Sequence, residues 1–327
     1  MTAEPATRVL TASSDAIAAA AACLAAGGLV AFPTETVYGL GADAGNGEAI
    51  ARLYAAKGRP AFNPLIAHVA DAAAARRLAM FDDAAARLAA TFWPGPLTLV
   101  LPKRPDCGVA DLALAGLDSV AVRVPAHPVA SALLKAFNGP VVAPSANRSG
   151  HVSPTSAVHV LHDLRGRIDI VIDAGPCAVG VESTIVACLA EPTLLRPGGV
   201  PRKRIERVLG HALALGKVAD DAPKSPEILA PGMLASHYAP KARLRLDAQA
   251  PRDGEALLAF GPAPAFSGTT LNLSPRGDLI EAASNLFSHL RRLDASGATT
   301  IAVMPVPYEG LGEAINDRLV RAAAPRH

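Results

Sequence analysis

Lys57, Arg59, Asn63 and His68 fall within one short stretch, Lys-Gly-Arg-Pro-Ala-Phe-Asn-Pro-Leu-Ile-Ala-His. Two fixed cations, an amide and an imidazole at that density suit a phosphate-bearing ligand. Arginine grips oxygens with a planar fork and lysine acts as a point charge. Gly58, Pro60 and Pro64 bar a continuous helix, so the stretch reads as a kinked loop that aims its side chains at one point. A solvated basic turn is the alternative. A second candidate is Pro144–Asn147 with Ser153, Pro154 and Thr155, where hydroxyls and N–H groups sit between a strand and a helix and suit an anion. An ordinary capped Ser/Asn/Gly loop would look the same. Arg123 alternates with Val120, Val122 and Val124, so it points away from the face those valines bury. If the opposite face is also covered, it needs an acidic partner or an anionic ligand. Arg196 is either an edge-strand charge or a third cation at the same site. Ser145 and Ser183 lack a Gly-x-Ser-x-Gly elbow, which argues against a covalent serine mechanism.

These residues need a scaffold, and apolar periodicity supplies one. Strands are expected at Leu29–Phe32, Pro64–Val69, Leu97–Leu101, Val120–Val124, Val141–Ala143, Ile168–Asp173 and Thr184–Ala187. Helices are expected over Ala16–Ala26, 47–57, 71–79, 82–92 and Pro128–Phe137. Phe32 leads into Pro33–Gly41, a polar, glycine-punctuated segment. Strands mixed with short helices predict an α/β domain over residues 10–215. Its irregular connections do not read as a regular βαβ series, and it carries neither a Gly-x-Gly-x-x-Gly nor a Walker-type phosphate loop. Residues 216–242 are proline-rich, read as a linker, and hold His237 and Tyr238, which are surface residues unless the linker folds back as a lid. A smaller α/β domain follows over 243–327, with strands at Ala256–Phe260, Leu271–Leu273 and Thr300–Val303 and helices at 278–293 and 312–323.

The chain has 327 residues, half of them apolar, with 18% charged, 4% aromatic and a net charge of +2. That length suits two domains. The near-neutral charge and scarce aromatics argue against a dedicated nucleic-acid surface, so any anion site is local. Cys23, Cys107, Cys177 and Cys188 show no metal-ligand spacing, and no metal site is expected. Scattered thiols suit a reducing compartment. The alanine-rich run after Ser13, Ser14 and Asp15 carries helix-cap signals at both ends and lacks a basic leader. A cytoplasmic protein without a membrane span is expected.

Taken in order, these stretches resemble the threonylcarbamoyl-AMP synthases of the YrdC-domain family, in the long form with an extra C-terminal domain. The matching runs are Phe32–Gly41, Lys57–His68, Trp93–Leu99, Val122–Pro125, Pro144–Asn147, Ser153–Thr155, Glu182–Val186, Leu195–Gly198, His237–Pro240 and Glu309–Ala322. The resemblance implies a twisted, open, mostly β α/β domain with a concave groove, followed by a smaller Rossmann-like α/β domain. It implies condensation of L-threonine, bicarbonate and ATP to threonylcarbamoyl-AMP and pyrophosphate, for use by proteins that modify tRNA. No tightly bound cofactor is implied; ATP is a substrate, with Mg²⁺ as its companion. Carried over position by position, Thr36, His68, Arg123, Ala143 and Ser183 would hold threonine. Lys57, Arg59, Asn63, Ser119, Ser145, Asn147, Ser153, Arg196 and Tyr238 would meet ATP, with Lys57 and Arg59 as the catalytic cations. The competing reading is an RNA-binding module of the same fold without ATP turnover, and weak or indirect contact with tRNA is compatible with either.

Overall fold

Short strands, several of them buried on both faces, build the two sheets of the molecule. The computed structural model describes residues 6–59, 63–216 and 238–325; His237 and most of the expected linker lie outside the described residues. The larger unit begins with β1 (Arg8–Thr11), α1 (Ser14–Ala25), β2 (Val30–Phe32), β3 (Gly39–Asp43), α2 (Gly47–Lys57) and β4 (Ile66–His68). It continues through α3 (Ala72–Leu78), α4 (Asp83–Phe92), β5 (Leu97–Pro102), α5 (Asp111–Leu114), β6 (Ser119–Arg123), α6 (Pro128–Phe137) and β7 (Val141–Val142). It closes with α7 (Ala157–Leu164), β8 (Ile170–Asp173), β9 (Thr184–Ala187), β10 (Thr193–Arg196), α8 (Arg202–Leu209) and β11 (Ala214–Leu215). The smaller unit holds β12 (Arg243–Arg245), β13 (Ala256–Ala259), β14 (Thr270–Asn272), α9 (Leu279–Asp294), β15 (Thr300–Val303) and α10 (Gly312–Ala323).

Local chemistry sets the helix ends. Ser13 Oγ accepts from the Ala16 N–H at 3.1 Å, opening α1. Asn46 caps α2 by accepting from Glu48 and Ala49, and Gly58, at φ 60°, ends it in the left-handed conformation that glycine adopts freely. Lys57 is therefore the last residue of a helix, and His68 the last of a strand. The two ends of the basic stretch thus belong to regular elements, Lys57 to α2 and His68 to β4, rather than to one kinked loop.

The larger sheet runs β1-β8-β2-β3-β7-β4-β6-β5-β9-β10-β11 among the described residues, with parallel and antiparallel pairs mixed. Period two sorts its side chains. In β4, β6, β5 and β9 the inward set includes Ala67, Val120, Val122, Leu99, Leu101 and Val186, which join the main core. The opposite set places Ile66, Ala121, Val100, Ile185 and Ala187 in a separate small apolar patch. His68, Arg123 and Ser183 share that second face by the same alternation. β10 would turn Arg196 the wrong way, but a bulge between Leu194 and Arg196 sets Arg196 opposite Ile185. An extra residue in a strand re-aims the side chains beyond it.

The smaller sheet is wholly parallel, in the order β12-β15-β13-β14. Its core of Leu258, Leu286, Phe287, Leu290, Ile301 and Leu319 also takes in Val37, Val152 and Val181 of the larger unit. The two units thus share one apolar cluster.

Candidate active site

The centre of the site is Arg123, buried at 4% exposure in the last position of β6. A guanidinium so placed needs acceptors on every edge. Its Nη2 donates to Glu35 Oε1 at 2.6 Å, Nη1 to Thr36 Oγ1 at 3.0 Å, and Nε to the Gly95 carbonyl at 3.3 Å. The other Glu35 oxygen accepts from the Ala126 N–H at 3.1 Å. The Thr34 hydroxyl donates to the Val37 carbonyl at 2.7 Å. Thr36 Oγ1 lies 2.8 Å from Thr34 Oγ1, so its proton points to Thr34 while its lone pair faces Arg123. Gly95 is presented by the turn after Trp93, whose indole N–H donates to the Leu97 carbonyl at 2.7 Å and whose ring meets Phe81 edge-on.

Parallel pairing of β4 with β6 sets His68 directly beside Arg123. Burial first, and the neighbouring Arg123 cation second, push the imidazole down to about 3, against a hydrogen bond with the Ile66 carbonyl. Nδ1 lies 3.1 Å from that carbonyl. Nδ1 therefore carries the proton and Nε2 is left as an acceptor. His68 is a neutral, oriented imidazole at physiological pH.

On the far wall, Arg196 is buried and donates from Nε and Nη2 to the Ser183 carbonyl at 3.1 and 2.9 Å, and from Nη2 to Ser183 Oγ at 3.2 Å. Ser183 Oγ also lies 2.8 Å from Thr98 Oγ1. Its partners are a cation and a hydroxyl rather than a base. Arg59 donates to the carbonyls of Asn63 and Pro64 at 3.4 and 3.2 Å, and its Nε is buried without a partner. Burial pushes Arg59 down to about 10, so it stays a cation at neutral pH.

Thr36, Arg59, His68, Arg123, Arg196 and Tyr238 line one open cavity with about 510 Å³ of atom-free space. Ala143, Ser145 and Ser183 complete its polar wall, and Ile66 and Val37 its apolar one. All five residues expected at threonine, and Arg59, Ser145, Arg196 and Tyr238 from the nucleotide set, meet there. Lys57, Asn63, Ser119, Asn147 and Ser153 are buried but do not line it. Lys57 sits behind the wall, its Nζ donating to the carbonyls of Ser145 and Asn147; burial, with Arg59 nearby, pulls its ammonium well below the usual lysine range. Asn147 spends its amide N–H groups on the carbonyls of Arg148 and His151 at 2.8 and 2.9 Å. Its Oδ1 and that of Asn63 are buried without partners. Ser119 occupies the opposite end of β6 from Arg123, on the same face. Ser153 Oγ donates to Glu182 Oε1 at 2.5 Å.

Three residues at the site fall within matching runs but are given no role by the reading of the sequence: Glu35, Glu182 and Arg318. Glu35 was foreshadowed by the need of a buried Arg123 for an acid. Glu182 lines the cavity and pairs with Arg318 of α10 at 2.9 Å, a contact across 136 positions that no local pattern encodes. Both carboxylates are fully engaged. Among the described residues no group of His, Cys, Asp and Glu could hold a metal ion. No described helix is long and apolar enough to cross a membrane.

A buried, arginine-lined groove on a mixed sheet, with no nucleophile–base pair among the described residues, marks a class of anion-handling α/β domains. The chain belongs to the Sua5/YciO/YrdC family: the family model described as "Telomere recombination" matches residues 22–198, and that of the "Threonylcarbamoyl-AMP synthase, C-terminal domain" matches 200–324. Within that family, it is 42% identical over 327 residues to the threonylcarbamoyl-AMP synthase of Bacillus subtilis, covering 95% of this chain and 93% of that one. It is 44% identical to the threonylcarbamoyl-AMP synthase of Pyrococcus abyssi, with 94% of both chains covered. The crystal structure of P. abyssi Sua5 complexed with L-threonine superposes with a TM-score of 0.86 at 40% identity, over 97% of each chain. Although the second family model begins at residue 200, α8 packs on α4 and β11 extends the larger sheet.

Proposed function

We propose that this chain condenses L-threonine, bicarbonate and ATP to L-threonylcarbamoyladenylate and pyrophosphate. The observation that carries the reading is the meeting, in one cavity, of three arginines, a neutral imidazole and the hydroxyls of Thr36, Ser145 and Ser183, with no base-activated nucleophile among these residues. Such a set positions reactants and stabilises charge without a covalent intermediate. Arg123 takes the threonine carboxylate with its fork, and the His68 Nε2 lone pair accepts from the threonine side of the reaction. Thr36, Ser183 and the Ala143 backbone frame the rest of the amino acid. Its amine nitrogen bonds to the carbon of bicarbonate with loss of water. A carbamate oxygen then attacks the α-phosphorus of ATP, and the bond to the β-phosphate breaks with pyrophosphate leaving. Arg59 and Arg196 stand where that charge develops.

The face of β4, β6 and β9 carrying Ile66, Ala121 and Ile185 provides an apolar floor for the nucleoside, running toward Ser119. Lys57 and Asn147 act from behind, holding the turn that bears Ser145. Mg²⁺ enters as part of the substrate on phosphate oxygens, because the nearest carboxylates are already engaged. The product is passed to the proteins that place the threonylcarbamoyl group on tRNA. The test is pyrophosphate release from Mg·ATP, with mass-spectrometric detection of the adenylate. Release that requires threonine and bicarbonate together is expected; pure, folded protein that releases none with all three substrates would reject the reading.

A further inference from the structure

We infer that Arg318, carried by α10 of the smaller unit, is a positioning residue for the nucleotide half of the site; this rests on the synthase reading, in which Tyr238 of the cavity wall meets ATP and Ser153 stands behind Glu182. Arg318 is wholly buried, 0% exposed, at the seam between the units. Its Nε donates to Glu182 Oε2 at 2.9 Å, and its Nη1 to the Pro197 carbonyl and to Asp317 Oδ2 at 2.8 and 2.7 Å. An arginine that served only to pin two units together would close both arms of its fork on the carboxylate. Here the second Glu182 oxygen goes to the Ser153 hydroxyl instead, and Arg318 Nη2 is left buried without a partner. The chain of contacts therefore runs from the second unit through Glu182 to Ser153.

The same guanidinium stands 5.4 Å from the centre of the Tyr238 ring, and Phe287 of α9 stacks on Tyr238 at 5.5 Å and 24°. Tyr238 lines the cavity, so Arg318 bears on two of its neighbours at once. A second arginine of this unit acts at the start of the same turn. Arg291 of α9 donates to the Val152 carbonyl and, at 3.0 Å, to Asp163, whose side chain is buried. Residues 152 and 153 are thus held from the second unit at one end and through Glu182 at the other. Losing the Arg318 fork, whose Nε and Nη1 hold Glu182 and the Pro197 carbonyl, frees Glu182 to turn, and Ser153 and Tyr238 lose their reference.

The experiment compares Arg318→Gln and Arg318→Lys with the wild-type full chain, reading KM for ATP, ATP affinity by calorimetry and threonine affinity without ATP. Arg318→Gln is expected to weaken ATP about tenfold or more while threonine affinity stays within about twofold. Combined with Ser153→Ala, it is expected to be no worse than the poorer single variant, because the two act in series. Equal losses for both substrates, or additive losses in the double variant, would show a merely structural contact and overturn the inference. Should Arg318→Gln not fold, Arg318→Lys, which keeps the charge but not the planar fork, is expected to give the same one-sided weakening. Calorimetry reads the contrast without turnover, so a chain that binds ATP yet releases no pyrophosphate rejects the synthase reading while still testing Arg318.

Discussion

At the scale of single residues, burial sets which groups of the site carry charge: Arg123 keeps its charge beside Glu35, and His68 is held neutral. His68 shows the consequence for pH. Its imidazole is held down to about 3, and that of His159 to about 4, both first by burial. Above pH 6.5 both states of the chain carry these rings neutral, and stability is intact. As the pH falls below 6.5 the unfolded chain takes up protons that the folded chain refuses, so stability is lost progressively toward pH 3. His68→Asn is expected to flatten the fall of Tm between about pH 6.5 and 4, by up to about 1.4 kcal/mol of stability per pH unit at its steepest. His159 leaves a residual slope. An unchanged profile would mean that His68 is protonated in the folded protein. Valine alternation could say that Arg123, if its own face is covered, needs either an acidic partner or an anionic ligand. Glu35 could not be singled out, because nothing in Pro33–Gly41 says which polar side chain turns inward.

At the scale of elements, the sequence is most legible where apolar spacing is regular. Pro128–Phe137, Thr184–Ala187 and Thr300–Val303 have the bounds their periodicity predicts. β3 escapes because Gly39 and Gly41 read as punctuation; an added Cβ on Gly41 would stand 2.9 Å from Phe32, so the strand needs glycine for close approach. The bulge that turns Arg196 into the groove is invisible for another reason: one inserted residue leaves no periodic trace. The end of α2 separates two cations that look alike in sequence. Lys57 holds the Asn147 carbonyl, so Lys57→Ala is expected to lose about 1–3 kcal/mol of stability along with turnover. Arg59 makes long bonds to two peptide carbonyls and meets the Tyr54 side chain. Arg59→Ala is therefore expected to lose on the order of 10²-fold in turnover with stability little changed. Denaturant titration beside pyrophosphate assays checks both, and a stable Lys57→Ala would contradict its bracing role.

At the scale of the molecule, two units meet over one shared apolar cluster, and the contact is close enough to be tested by a methyl group. Gly180 has φ +74°, and a Cβ there would lie 2.5 Å from Ala283 O and Ser284 Cα of α9. Gly180→Ala is expected to push α9 away and split thermal unfolding into two calorimetric transitions. A single transition at the wild-type temperature would mean the seam has slack. The seam was not legible in the sequence, since Val37, Val152, Val181 and Arg318 come from distant parts of the chain. One detail of the larger unit gives the molecule an optical handle. The chain has one tryptophan, and Trp93 leads into the turn whose Gly95 carbonyl takes the Nε proton of Arg123. Intrinsic emission excited near the red edge of indole absorption comes from that ring alone, so the chain carries a native fluorescent reporter two residues from the carbonyl that steadies Arg123.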